Sequence, residues 1–306
     1  MHMSGPLSRA ALSRGAAIAI TCGFVLVWST GFIVARFGVP HAPALSFLAL
    51  RFVLTLLVLA PLIVVLRAPW PSGRDMVHLS IAGVLIHAFY LSGVWIAIEH
   101  GMPSAMSALI VNMQPILTAL WVSWAGEQVS ARQWWGLLLG LAGVALAVAS
   151  KWTADGVTAL NLLCCVLALA GITAGTLYQK RRVPTFDLRT GTFVQLAASL
   201  LLVGPLALAL DTRPVQWNRE LVLALAWAVL AISIGAVFLL FRLIEKGSAT
   251  RVTSLMYLVP PTTALMAWVL FDESYGVLAA AGMVCAAAGV ALVQQAKSPA
   301  GRSAQG

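Results

Sequence analysis

The sequence predicts an all-α integral membrane protein with ten transmembrane helices in a 5+5 inverted repeat. Three observations carry this expectation: the composition, the spacing of charges between apolar runs, and an internal repeat. Of 306 residues, 60% are hydrophobic and 9% charged, and mean hydropathy is +0.93. A soluble fold carries about 25% charged residues, so this chain cannot supply a water-facing skin. Continuous apolar runs without period-2 alternation select helices over a barrel.

About 20 apolar residues cross the hydrocarbon core. Breaks at charges, glycines and prolines place spans near 16–36, 44–66, 77–98, 103–125, 133–150, 158–179, 190–210, 221–244, 249–271 and 276–296. Residues 1–15 and 297–306 are cytoplasmic tails, and 16–150 and 157–296 are the two five-helix units. The run after Arg9 and Arg14 has the flank of a signal peptide but no convincing cleavage site, so it reads as a retained first span.

The net charge of +9 would suggest nucleic acid in a soluble protein. Here the basic residues flank apolar runs, so no nucleic-acid partner is expected and the lipid bilayer is. With the N-terminus inside, fourteen Lys and Arg fall on cytoplasmic flanks and four outside (Arg36, Lys151, Arg213 and Arg219). This bias puts both termini in the cytoplasm, as in a bacterial-type inner membrane. Arg51 lies within the second span. It reads as a snorkelling or helix-tying residue near the outer surface. Cys22, Cys164, Cys165 and Cys285 all lie in apolar runs and read as buried thiols rather than disulfides or zinc ligands. Trp70, Trp124, Trp134 and Trp217 stand near span ends, as interfacial tryptophans do.

The repeat shows as Glu99-His100-Gly101 against Glu245-Lys246-Gly247, an offset of 146 residues. At the same offset Pro115 meets Pro261, Glu127 meets Glu273 and Gly136 meets Gly282. A five-helix unit is odd, so its copies insert with opposite orientations. Inverted repeats characterise secondary transporters, with substrate near the midplane where the copies meet.

Trp28-Ser29-Thr30-Gly31-Phe32 and Leu50-Arg51-Phe52, with the Gly101…Pro115…Glu127 and Gly247…Pro261…Glu273 blocks, resemble the drug/metabolite transporter superfamily and its EamA repeat. The resemblance covers about residues 16 to 296. It implies a ten-helix exporter of amino acids, related small metabolites or drugs. Relatives that move lipid-linked sugars make a flippase the alternative within the superfamily.

Pro115, Pro260 and Pro261 free backbone carbonyls and predict mid-membrane kinks beside a cavity. Gly101 and Gly247 begin the same helices, either as hinges or as turn glycines. Ser80, Gly83, His87 and Tyr90 share one face of the third helix, and Thr250, Ser254, Tyr257 and Pro261 one face of the ninth. His87 reads either as a titrating substrate ligand or as a neutral packing histidine. With Trp28, Asn112 and Thr176, these residues outline an apolar, aromatic chamber for a small-molecule substrate, an amino acid or metabolite. Gly136-x-x-x-Gly140 and Gly282-x-x-x-Ala286 permit close helix contact, within one subunit or across a homodimer.

Neither HExxH nor a pair of intramembrane carboxylates occurs, so an enzyme is not expected. No cofactor or metal is expected either, and no segment reads as a channel filter. If the charge bias sets topology, a reporter fused after Arg302 is expected to report cytoplasm and one inserted near Asp155 the opposite compartment. The same compartment for both would contradict ten spans.

Overall fold

A computed structural model describes residues 14–124, 130–150, 157–236, 239 and 258–295. The fold is a helical bundle with no β-strand among these residues. Helix α1 (Arg14–Gly38) is followed by α2 (Ala44–Val65), α3 (Gly73–Gly83) and α4 (Tyr90–Glu99). Helices α5 (Ser104–Val111), α6 (Gln114–Trp124), α7 (Ala131–Ala149), α8 (Ala159–Arg182) and α9 (Leu188–Leu210) come next. Then follow α10 (Arg219–Ala226), α11 (Val259–Phe271) and α12 (Val277–Gln295). Two wide-turn π segments, Val84–Phe89 and Trp227–Ala236, extend α3 into α4 and continue α10.

Among the described residues, seven helical stretches are long and apolar enough to cross a membrane, and three more are apolar but shorter. Leucines such as Leu57, Leu201 and Leu208 project from the bundle surface, as a lipid-facing surface requires. Trp70, Trp124, Trp134 and Trp217 are all exposed. The four cysteines are free thiols; Cys165 is buried and Cys22 exposed, so burial fails for Cys22.

Polar caps close the helix ends, where four N–H groups would otherwise lack partners. Ser130 and Gln133 form a capping box at α7, and Thr158 with Asn161 does so at α8. Asn218 accepts from Leu221 N–H at α10. Asp187 caps α9, and hydrogen bonds from Arg189 hold its carboxyl below its ordinary pKa. At the end of α4, Gly101 adopts φ 91°, Met102 N–H donates to Ala97 O at 2.9 Å and Gly101 N–H to Ile98 O at 3.0 Å. This pair of bonds is a Schellman stop, which wants glycine at the left-handed position. Gly101 is therefore a turn glycine where α4 ends.

The span expected at 103–125 is broken. Helix α5 ends at Val111, and α6 starts at Gln114 with Pro115 in its first turn. A proline cannot donate to the preceding turn, so the chain restarts one residue before it. Pro260 and Pro261 likewise sit in the first turn of α11.

Helices α7 and α12 cross antiparallel at backbone contact. A Cβ on Gly136 would stand 2.6 Å from Gly289 O, and one on Gly143 the same distance from Gly282 O. The two glycine pairs are reciprocal: Gly282 lies 146 residues after Gly136, and Gly289 the same distance after Gly143. The small-residue patterns thus pack against each other inside one chain. Elsewhere α2 packs on α9, α4 on α8, and α1 on α11 and the second π segment.

A side chain in the glycine seam would push the helices apart. Gly289→Val places a Cβ 2.5 Å from Gly136 O, and overpacking costs about 1–3 kcal/mol. A lower melting temperature in detergent is expected, while Gly23→Ala, which meets nothing within 4 Å, is expected to melt as wild type. Equal melting of Gly289→Val and wild type would contradict the seam.

Candidate substrate site

Two polar cross-links inside the bundle stand close together. His87, in the first π segment, donates from Nε2 to Gln195 Oε1 on α9 at 3.3 Å. Gln195 passes the interaction on, its Nε2 donating to Gln179 Oε1 on α8 at 2.5 Å. In the second cross-link, Arg51 Nε on α2 donates to Ser233 Oγ in the second π segment at 3.1 Å. Ser233 in turn donates to Ala228 O, five residues back, at 3.0 Å. Tyr90 and His87 lie within Coulombic range of the Arg51 guanidinium, so both links belong to one cluster. Phe52 meets the His87 ring edge-on at 6.4 Å between centroids.

The cross-links are mates in the repeat. His87 and Ser233 stand 146 residues apart; Arg51 and Gln195 stand 144 apart, as do the prolines inside their helices, Pro61 and Pro205. Thr55 Oγ1 donates to Arg51 O at 2.7 Å, and Ser199, 144 residues on, donates to Gln195 O at the same distance. Each copy thus contributes one polar residue from its second helix and one from its third. Each pairs with the complementary residue of the other copy. The π segments coincide as well: residues 84–89 shifted by 146 fall at 230–235, within Trp227–Ala236. A π turn widens the helix and leaves backbone carbonyls short of their usual donors, which here gives Ser233 its acceptor.

Close backbone approach fixes this geometry. A Cβ on Gly83 would lie 2.5 Å from Gln195 Cα, and one on Gly175 of α8 would lie 2.6 Å from Ile86 Cγ1. Glycine at these points lets α8 and α9 reach the π segment and brings His87 to Gln195.

Arg51 corrects the sequence reading. Its side chain does not snorkel: the residue is 7% exposed and reaches across to the second half of the chain. Trp28 and Tyr90 pack on the same buried apolar cluster as Phe52, and Trp28 stacks at 5.5 Å on Phe24. Asn112 is engaged by its own helix, Nδ2 donating to Ala108 O at 2.7 Å. Thr176 Oγ1 accepts from Gln114 Nε2 at 2.9 Å and donates to Ile172 O at 2.7 Å. Tyr257, Gly247 and Glu127 lie outside the described residues. Gln195, Gln179 and Ser233 were not expected. A gapped comparison of the repeats, aligning Pro61 with Pro205, would have paired Arg51 with Gln195 and drawn notice to both.

At one end of the bundle, polar contacts join early and late parts of the chain. Glu99 pairs with Arg213 and accepts from Ala44 N–H. Ser46 donates to Asp211 Oδ2 from Oγ at 2.6 Å and from its N–H at 2.7 Å. Arg36 approaches Glu273 at 3.8 Å, and Tyr275 donates to Glu273 at 2.5 Å. Burial first, and the adjacent carboxylate second, push the Tyr275 phenol well above its ordinary pKa, so it remains a donor.

The EamA-like transporter family matches residues 15–149 and again residues 159–294. The chain belongs to that family. It is a membrane transporter of the EamA type, built on two copies of the family domain. An uncharacterized transporter of Archaeoglobus fulgidus is 27% identical over 277 residues, covering 88% of this chain and 93% of the relative. The uncharacterized inner membrane transporter YedA of Escherichia coli K12 is 24% identical, covering 81% of each chain. A protein of Salmonella typhimurium named as a probable amino-acid metabolite efflux pump is 24% identical over 87% of this chain and 90% of its own. A solved crystal structure superposes with a TM-score of 0.61 at 21% identity, covering 92% of this chain and 98% of that one; it bears on the fold alone.

Proposed function

We propose that this EamA-type transporter is a secondary exporter of amino acids or related small metabolites, working by alternating access. Its ten spans form a 5+5 inverted repeat with both termini in the cytoplasm. The observation that carries this reading is the reciprocal pair of cross-links, Arg51–Ser233 and His87–Gln195. A reciprocal contact between repeats creates a site on the pseudo-two-fold axis, where inverted-repeat transporters hold substrate. The antiparallel α7–α12 seam supports the opposite orientation of the copies. The efflux-pump name of the Salmonella relative supports the substrate class.

In this reading the end bearing Glu99–Arg213, Ser46–Asp211 and Arg36–Glu273 is the outer end. Its three bridges close that end while the centre stays polar. Opening outward breaks them. Exposed pairs of this kind are worth little individually, which suits a gate that must open on each cycle. The break before Pro115, and Pro260 and Pro261 in the first turn of α11, supply points where the fourth and ninth spans flex. Trp28 and Tyr90 give the chamber aromatic surface, and His87 with Gln195 gives it polar contacts. Asn112 and Thr176 set the shape of the wall through their protein partners.

The test is counterflow. Purified protein in liposomes loaded with individual amino acids, nucleobases or drugs is expected to exchange external labelled amino acid saturably for at least one apolar amino acid. Protein-dependent exchange confined to drugs or bases, or no exchange at all, would contradict the reading.

A further inference from the structure

The cluster at the repeat interface holds one cation. Arg51 is 7% exposed and sits on the second span, Ala44–Val65, which has no other charged residue. Among the described residues it has no carboxylate partner, and its hydrogen bond is the single one from Nε to Ser233. A guanidinium carries five N–H donors in a planar fork, and a protein does not deprotonate it. The terminal nitrogens, which carry four of those five donors, have no acceptor among the described residues. The other polar groups close by are those of His87 and Tyr90, both within Coulombic range and neither an anion at neutral pH.

A charge buried without a counter-ion is costly, and the cost is sharper within a bilayer than in a soluble core. A helix-to-helix strut does not need it. At the matching position of the other repeat a neutral residue, Gln195, makes the equivalent link. The formal charge at position 51 is therefore surplus to the structural task that its mate performs. The missing partner is an anion with two parallel acceptor oxygens, which the fork matches in bidentate fashion.

We propose that Arg51 is the recognition site for a single carboxylate of the transported molecule, held by the guanidinium's terminal nitrogens while Ser233 fixes the Nε edge. The inference rests on the transport reading above and narrows its substrate class to compounds with a free carboxylate, such as zwitterionic amino acids. A phosphate ester would need a second cation to balance its second charge, and none stands beside Arg51 among the described residues. Ser233 positions the fork: its hydroxyl, committed to Ala228 O, offers Arg51 an acceptor and leaves the opposite edge free.

The experiment pairs two probes that differ in the carboxylate alone, leucine and leucinamide, on the purified full-length protein. Stabilisation in detergent is followed by the shift in melting temperature against probe concentration, and transport by counterflow in liposomes. With wild type, leucine is expected to stabilise at about tenfold or more lower concentration than leucinamide, the discrimination a charge-assisted hydrogen bond supports. Arg51→Gln is expected to bring that ratio close to one, and Arg51→Lys, which keeps the charge and loses the fork, to leave it intermediate. Ser233→Ala is expected to weaken leucine binding while retaining preference for the carboxylate.

A wild type that responds equally to both probes, or an Arg51→Gln variant that folds and keeps the wild-type ratio, overturns the proposal. The two readings fail separately. Leucine binding lost in Arg51→Gln, without counterflow by wild type, would leave the carboxylate site standing and remove the transport reading. Counterflow of both probes with equal efficiency would do the reverse.

Discussion

A polar group inside a bilayer has no water to turn to, so it must find its partner within the protein, on its own helix or on another. In this chain that constraint binds the two repeats together. Arg51 and Gln195 occupy matching places on the second helix of each copy, and Ser233 and His87 matching places on the third. Each finds its partner in the opposite copy. The rest of the bundle is arranged to allow it. Both third helices carry a π segment at the polar residue, and Gly83 and Gly175 let neighbouring backbones close in. The α7–α12 seam brings the ends of the copies together in the same reciprocal manner.

This arrangement separates a firm scaffold from a weaker periphery. At Gly143 and Gly289 the seam is backbone against backbone, which leaves no room for a side chain. The bridges at the end bearing Glu99 and Arg213 are few, partly exposed and polar. A close-packed seam, a polar centre and partly exposed end contacts are what the proposed alternating access requires. The centre is also asymmetric: one copy supplies a cation where the other supplies an amide. Fold symmetry therefore does not extend to the chemistry of the site, and the proposed carboxylate preference rests on the difference at that one position.

Much of this architecture was legible in the sequence because it is set by composition and local rules. Apolar runs located the described helices, the turn-glycine alternative for Gly101 matches its place at the end of α4, and small-xxx-small patterns marked the seam. The π segments were not legible. A π turn adds one residue to a turn without a signature of its own in the sequence. Gln195 and Ser233 were missed for a related reason. An ungapped comparison at 146 residues pairs Arg51 with Ala197 and hides its mate, since the second helices are offset by 144. Arg51 itself was read from its depth in one helix, which suggested an escape to the surface; the acceptor that keeps it inside sits 182 residues away in sequence. Asn112 and Thr176 looked like site residues because they are polar within spans. One is engaged by its own helix and the other by Gln114 as well.

The reciprocity of the two cross-links is most directly tested by making them alike. Arg51→Gln combined with Ser233→His reproduces at one link the pair of residues that forms the other. Melting temperatures of both single variants, the double variant and wild type, measured without substrate, give the coupling between the positions. Arg51→Gln removes an unpaired buried charge as well as the link, so the coupling and not either single shift is the readout, and the double variant is expected to melt higher than the sum of the two single shifts predicts. A double variant whose shift equals that sum would show that the positions do not pair, and would contradict the account.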